Sequence, residues 1–188
     1  MPKDDELNAA MSILETGAAQ LGLKLNADQL ARLKRYIEDL ADYNKVTNLV
    51  SKATPKILVE EHILDSLTLV PAVQAFFAGP AGAHCLAEPA SATTQPEKQE
   101  HQRSLIDIGS GAGFPGLILA IALPDLFTTL VDSIEKKTRF LIREAHKLDL
   151  KNVEVWTDRV EEIAHHPQCR GSFDLATGRA VGALDMVA

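Results

Sequence analysis

The stretch Ser104–Gly116, Ser-Leu-Ile-Asp-Ile-Gly-Ser-Gly-Ala-Gly-Phe-Pro-Gly, decides the fold. Leu105, Ile106 and Ile108 form a short apolar run, and Gly109, Gly111 and Gly113 follow at alternate positions. Pro115 suits the first turn of a helix that Leu117–Leu123 continues, because its missing N–H has no partner to lose there. A strand therefore enters a helix through a glycine turn, where the backbone can reverse tightly and come close to a ligand. Asp107 sets the charge of that ligand: a carboxylate two residues before the turn repels a pyrophosphate and holds a cation. S-adenosylmethionine carries a sulfonium and an ammonium, so the acid favours it. Gly111–Gly116 also satisfies G-x-G-x-x-G, the dinucleotide fingerprint, but there the first glycine should close the strand, and here Gly109 does so. A purely structural turn is the remaining reading.

Downstream, strand and helix alternate. The pattern predicts strands over Leu105–Ile108, Phe127–Val131, Val153–Trp156 and Phe173–Thr177, with helices over Pro115–Leu123, over Glu135–Leu148 and from Arg159. Such alternation makes a parallel sheet with crossover helices on its faces, and ligands bind beyond the carboxyl ends of its strands. Gly109, Asp132, Asp158 and Arg179 fall there, one after each strand. The chain ends at Ala188, just past the fourth strand, so an apolar edge would need cover and further C-terminal strands are expected.

Upstream the pattern is helical. Leu7, Met11, Leu14, Ala18 and Leu21 recur at helical spacing. Asn26 and Gln29 form a capping box for a second helix, whose stripe Leu30, Leu33, Ile37, Leu40 and Ala41 ends near Tyr43. Thr54 and Pro55 open a third, but its apolar positions Leu58, Ile63, Leu67 and Val70 drift around the axis. Between the two halves, Gly79–Arg103 is rich in Ala, Pro, Thr, Gln and Glu and reads as a flexible insert. The expected units are thus a helical extension over 1–78, an insert over 79–103 and a sheet domain over 104–188.

With 188 residues, 46% hydrophobic and 24% charged, the chain has an ordinary globular composition. It has no run of about eighteen apolar residues to span a membrane, and its acidic start is unlike a signal peptide. Cys85 and Cys169 are expected to be thiols in a reducing cytoplasm. The net charge of −7 argues against general nucleic-acid binding. It hides a basic cluster, Lys136, Lys137, Arg139, Arg143 and Lys147, on one helix: a solvated face or a patch facing an anionic substrate.

Single residues keep two readings each. Asp132 can accept both hydroxyls of a ribose, or cap the helix before Glu135. Arg159 and Arg179 lie at strand ends beside the site, or form surface salt bridges. His62 is catalytic, or an ordinary core histidine. His165 and His166 have no metal-ligand spacing with the cysteines, and no nucleophile elbow, P-loop or carboxylate pair occurs.

Several stretches resemble the small-subunit ribosomal RNA methyltransferase G family, also called GidB. They are Tyr43–Val50, Glu61–Ser66, Asp107–Gly116, Val131–Ser133 with Lys136–Leu141, Asp158–Glu162 and Phe173–Ala180. The resemblance implies a class I S-adenosylmethionine-dependent methyltransferase fold, a Rossmann-like parallel sheet with an N-terminal helical extension. It implies methylation of N7 of one guanine in small-subunit (16S) rRNA, free or in a ribosomal particle, by a cytoplasmic monomer with no membrane or metal. Carried over by position, Gly109, Phe114, Val160, Glu161 and Arg179 would contact the cofactor, with Asp132 near its ribose. Asn48, His62, Arg159 and the pair Lys136 and Lys137 would face the substrate. The family continues through further strands and a lysine-glycine segment, and its usual pattern lacks the insert. Two other functions stay open: an NAD-dependent oxidoreductase, and a non-catalytic protein that keeps the cofactor fold and binds RNA or a partner.

Overall fold

Leu105 and Asp107 point to one side of a strand and Ile106 and Ile108 to the other, because side chains alternate along extended backbone. That parity organises the molecule, described by a computed structural model over residues 2–80, 102–165, 169 and 171–179. Four strands, β1 Ser104–Ile108, β2 Phe127–Asp132, β3 Val153–Thr157 and β4 Leu175–Gly178, form one parallel sheet in the order β3-β2-β1-β4. The chain steps outward from β1 to β3, then returns to the other side of β1. The direction reverses there, which in open sheets of this kind opens a crevice at the carboxyl ends. Register fixes what meets at that edge: Ile108 pairs with Val131 and Gly178, and Asp132 with Thr157.

The N-terminal helices α1 (Pro2–Gln20) and α2 (Ala27–Thr47) carry the expected stripes. Leu33, Tyr36, Ile37 and Leu40 are fully buried, each side chain contributing about 1.5–3 kcal/mol. Exposed pairs such as Arg32 with Asp28 are worth about 1 kcal/mol at most, so burial and not charge docks this helix. The Asn26–Gln29 capping box forms as read. α2 runs past Tyr43 to Thr47, where Asn48 ends it in a left-handed conformation and the Asn44 side chain bonds both backbone groups of Val50.

The third helix explains its drifting stripe. α3 (Pro55–Ile57) widens into a π-helical stretch, Leu58–Ile63, before α4 (Leu64–Leu67), and α5 (Val70–Ala78) follows. The wider turn takes up an extra residue, so Leu58, Val59, Ile63 and Leu67 are all buried despite a spacing wrong for an α-helix.

In the sheet half, α6 (Gly116–Ala122) and α7 (Glu135–Lys147) follow β1 and β2, and α8 (Val160–His165) follows β3. Pro115 sits one position before α6, joined to Phe114 by a cis peptide bond, rather than in its first turn. One core runs continuously from α1 and α2 through α6 to Leu105, Leu130 and Phe140. A smaller cluster, Ile106, Val131 and Ile163 with Trp156 and Phe173, fills the opposite side. Phe173 packs against Trp156 there instead of pairing, so β4 begins two residues later than expected. Most of the expected insert, Cys85 included, lies outside the described residues. Among the described residues no helix is long and apolar enough to cross a membrane.

Candidate functional site

Past Ile108 the backbone adopts positive φ at Gly109 (69°), Gly111 (59°) and Gly113 (110°), a region that side chains other than glycine's rarely enter. Ser110 stitches this loop to β2: its N–H donates to the Val131 carbonyl, and its hydroxyl oxygen accepts from the Val131 N–H. Asp132, 4% exposed, binds the loop from the end of β2. Its Oδ2 accepts from the Gly111 N–H at 3.0 Å and from Lys137 Nζ at 3.1 Å, and its Oδ1 accepts from the Ile134 N–H at 2.9 Å. The bond to Ile134 caps the approach to α7, as the capping reading of Asp132 expects.

These elements border a cleft of about 400 Å³ lined by Gly109, Asp132, Lys137, Arg159, Val160 and Glu161, with Ile108, Val131 and Ile134 as its apolar wall and Asp158 beside them. Pockets for small ligands commonly have roughly 300–1,000 Å³. Three carboxylates, Asp132, Asp158 and Glu161, face it, while Lys137 is already paired with Asp132.

Asp107 is not in this cleft. It has Leu105's parity and lies beneath α6, fully buried, where its Oδ2 accepts from the Gly116 N–H at 3.1 Å and its Oδ1 from the Thr177 hydroxyl at 2.9 Å. The expected electrostatic choice of ligand by Asp107 is corrected accordingly: the acids that border the cleft are those at and just after the ends of β2 and β3. Burial pushes the Asp107 carboxyl up to about 6, against the opposing pull of the Thr177, Ser110 and Gly116 hydrogen bonds and of Arg179. The folded state thus binds this proton more tightly than the unfolded chain. The associated stability is complete below about pH 4 and is lost as pH rises through about 6, a difference of roughly 3 kcal/mol. Asp107→Asn should therefore gain stability relative to the wild type as pH is raised from 4 to 7. Urea midpoints across that range measure it, and a constant gap between the two proteins would refute it.

A second cluster stands over the turn. Arg179, just after β4, donates from Nη1 to Asp65 Oδ2 at 2.9 Å and from Nη2 to His62 Nδ1 at 2.8 Å. His62 stacks on buried Phe114 with ring centroids 4.9 Å apart, and the Arg179 guanidinium lies 5.5 Å from the same ring. Arginine only donates, so Nδ1 of His62 accepts and the proton of the neutral ring sits on Nε2. Burial first, then Arg179, lowers the His62 pKa and keeps the ring neutral near pH 7. The salt-bridge reading of Arg179 is realised with Asp65, and the π-helical stretch turns His62 toward it.

Each of the five cations of the basic helix has a partner of its own. Lys136 donates to the Thr47 carbonyl at 2.7 Å, Lys137 binds Asp132, Arg139 pairs with Glu135, and Lys147 binds Asp39 at 2.7 Å. Arg143 pairs with buried Glu144 and lies 4.3 Å from the Tyr43 ring. Lys136 thus ties α7 to the end of α2, next to exposed Asn48. Ile134 in the cleft wall and Tyr36, which donates to the Ala112 carbonyl at 2.6 Å, escaped the sequence reading. Ile134 had a signal, its place two residues after the acid at a strand end. Tyr36 had none, since it looks like any member of a buried stripe.

The family described as rRNA small subunit methyltransferase G matches residues 29–79 and 84–188. The chain belongs to this family. The break in the match, at residues 80–83, falls within the expected insert. Among relatives named ribosomal RNA small subunit methyltransferase G, that of Sorangium cellulosum is 40% identical over 90% of this chain and 61% of its own length. That of Methylobacillus flagellatus is 36% identical over 91% of this chain and 68% of its own, and that of Chromobacterium violaceum 38% over the same shares. The chain thus spans about two thirds or less of these methyltransferase G relatives.

Proposed function

We propose that this chain binds S-adenosylmethionine in the cleft beyond β1–β3 and belongs to an enzyme that methylates N7 of a guanine in small-subunit rRNA. The observation that carries the reading is Asp132: a nearly buried carboxylate at the end of β2, bonded to the glycine turn and open to a cleft that further carboxylates border. Such a cleft suits a ligand with a sulfonium, an ammonium and a ribose, and disfavours a pyrophosphate. Asp132 would take the ribose hydroxyls, Gly109 would let the ligand close on the backbone, and Val160 and Ile134 would flank an adenine. The bound cofactor supplies an electrophilic methyl carbon. On this reading the protein works in the cytoplasm, where small ribosomal subunits are made.

N7 of guanine already presents a lone pair, so no strong general base is required. The protein has to hold N7 in line with the carbon to be transferred, and positioning of that kind is worth up to about 7–11 kcal/mol. His62 fits such a role as a donor rather than a base, because its Nε2 carries the proton and could meet guanine O6. An arginine bidentate to O6 and N7, the usual way to read guanine, would block the reacting lone pair. Arg159, exposed at the cleft mouth, would therefore contact O6 or a phosphate only. The net charge suits a protein that docks on a shaped particle better than one that binds RNA along its length.

Two measurements test the reading. S-adenosylhomocysteine should raise the melting temperature, since a ligand bound only by the native state stabilises it by mass action, and NAD should not. Arg159→Ala should lower methylation of small subunits at limiting substrate by about 10–100-fold, the loss of about 1.4–2.7 kcal/mol of binding, with affinity for S-adenosylhomocysteine unchanged. A shift with NAD alone would favour the oxidoreductase, and full activity in the Ala variant would remove Arg159 from the site.

A further inference from the structure

We propose that Tyr36 is a positioning residue for the methyl-donor loop, acting on the donor through Ala112, Gly111 and Asp132. The inference rests on the donor reading given above. Tyr36 sits fully buried in the middle of α2, and its hydroxyl donates to the Ala112 carbonyl at 2.6 Å. Its ring meets the edge of Phe114 at 5.7 Å and tilts against Phe140 at 6.4 Å, so the phenol has one orientation. Burial also raises its pKa well above the ordinary value, which keeps the hydroxyl a donor.

The loop needs such an anchor. Ala112 lies between Gly111 and Gly113, both at positive φ, where no helix or strand ladder fixes the backbone. Besides the turn's own bonds from the Gly113 and Phe114 N–H groups to the Ser110 carbonyl, three contacts hold the segment: the paired bonds of Ser110 with Val131, the Gly111 N–H to Asp132, and the Ala112 carbonyl to Tyr36. The first two come from β2 inside the sheet, and the third from 76 residues earlier in the chain. Peptide groups are rigid planes, so release of the Ala112 carbonyl tilts the Gly113 N–H that shares its plane, and with it the Ser110 carbonyl that this N–H binds at 2.6 Å. The Ser110 carbonyl shares a plane with the Gly111 N–H, so the bond to Asp132 is displaced in turn. The same helix makes a second, remote contact with this unit: Gln29 Nε2 donates to the Ile121 and Ala122 carbonyls at the far end of α6.

Tyr36→Phe keeps the ring and deletes the hydroxyl, and Gln29→Ala loosens the other end of the same helix pair. Calorimetry with S-adenosylhomocysteine, beside donor-dependent steady-state kinetics, separates local positioning from general loosening. Tyr36→Phe should raise the Kd and the donor KM about tenfold, as expected for one buried hydrogen bond, with kcat at saturating donor within about twofold. Gln29→Ala should lower the melting temperature and leave the Kd unchanged. An unchanged Kd in Tyr36→Phe, or an equal rise in both variants, would overturn the proposal while leaving the donor reading intact. Failure of the wild-type chain to bind S-adenosylhomocysteine would overturn both.

Discussion

Replacement of Gly116 by alanine is expected to lower the unfolding free energy by about 3 kcal/mol, at the upper end of what overpacking usually costs. A Cβ at this position would lie 2.7 Å from both the Cβ and the Oδ2 of Asp107 and would also strike the Leu130 side chain. The Cβ of Asp107 is fixed by β1, so relief requires α6 to lift off the sheet. Lifting it stretches the bond from the Gly116 N–H to Asp107, whose buried carboxylate then loses a partner. The helix propensity gained by alanine, at most about 1 kcal/mol, does not offset this. Gly22 provides the comparison: it has φ of 75° with nothing within 4 Å, so Gly22→Ala should cost only the strain of a left-handed residue, about 1–2 kcal/mol. Urea unfolding of both variants decides the matter, and a Gly116→Ala protein no weaker than Gly22→Ala would show that α6 is not packed this closely.

The largest effect on binding is expected at Asp132. Asp132→Ala should raise the Kd for S-adenosylhomocysteine about 100-fold, roughly 2.7 kcal/mol. The loss has two sources. The ligand loses its ribose acceptor, and the Gly111 and Ile134 N–H groups and Lys137 lose the carboxylate that aligned them. Hydrogen bonds to a charged group contribute about 1.5–3 kcal/mol each, which makes the predicted loss a conservative one. Asp132→Asn preserves the shape and one acceptor but not the charge opposite Lys137, so an intermediate loss of about tenfold is expected. Titration calorimetry on the folded fraction measures both, and wild-type affinity in the Ala variant would remove Asp132 from the donor site.

Most of the architecture was legible because it repeats locally. Apolar runs and helical stripes gave the four strands in their order of appearance, and the spacing of Asn26 and Gln29 gave a cap that needs no tertiary partner. Membership of the methyltransferase G family was also legible, carried by several short stretches in order. The side-chain roles were less so. Asp107 was read by its distance from the turn, although parity with Leu105 already placed it under α6 and out of the cleft. The five cations of α7 were read as a face. Arg139 and Arg143 pair within the helix, but Lys136, Lys147 and Lys137 meet Thr47, Asp39 and Asp132 on elements that spacing within the helix cannot bring into view.

The sequence alone settled the strand–helix alternation, the first two helices, the glycine turn and the set of residues at the strand ends, because period, capping and positive φ are properties of neighbours along the chain. Tertiary structure alone decided which charges face the cleft and which are neutralised inside. It brought Arg179 to His62 across 117 residues and Tyr36 to Ala112 across 76. A buried charge or hydroxyl is stable only where a partner meets it, and packing, not local sequence, chooses that partner.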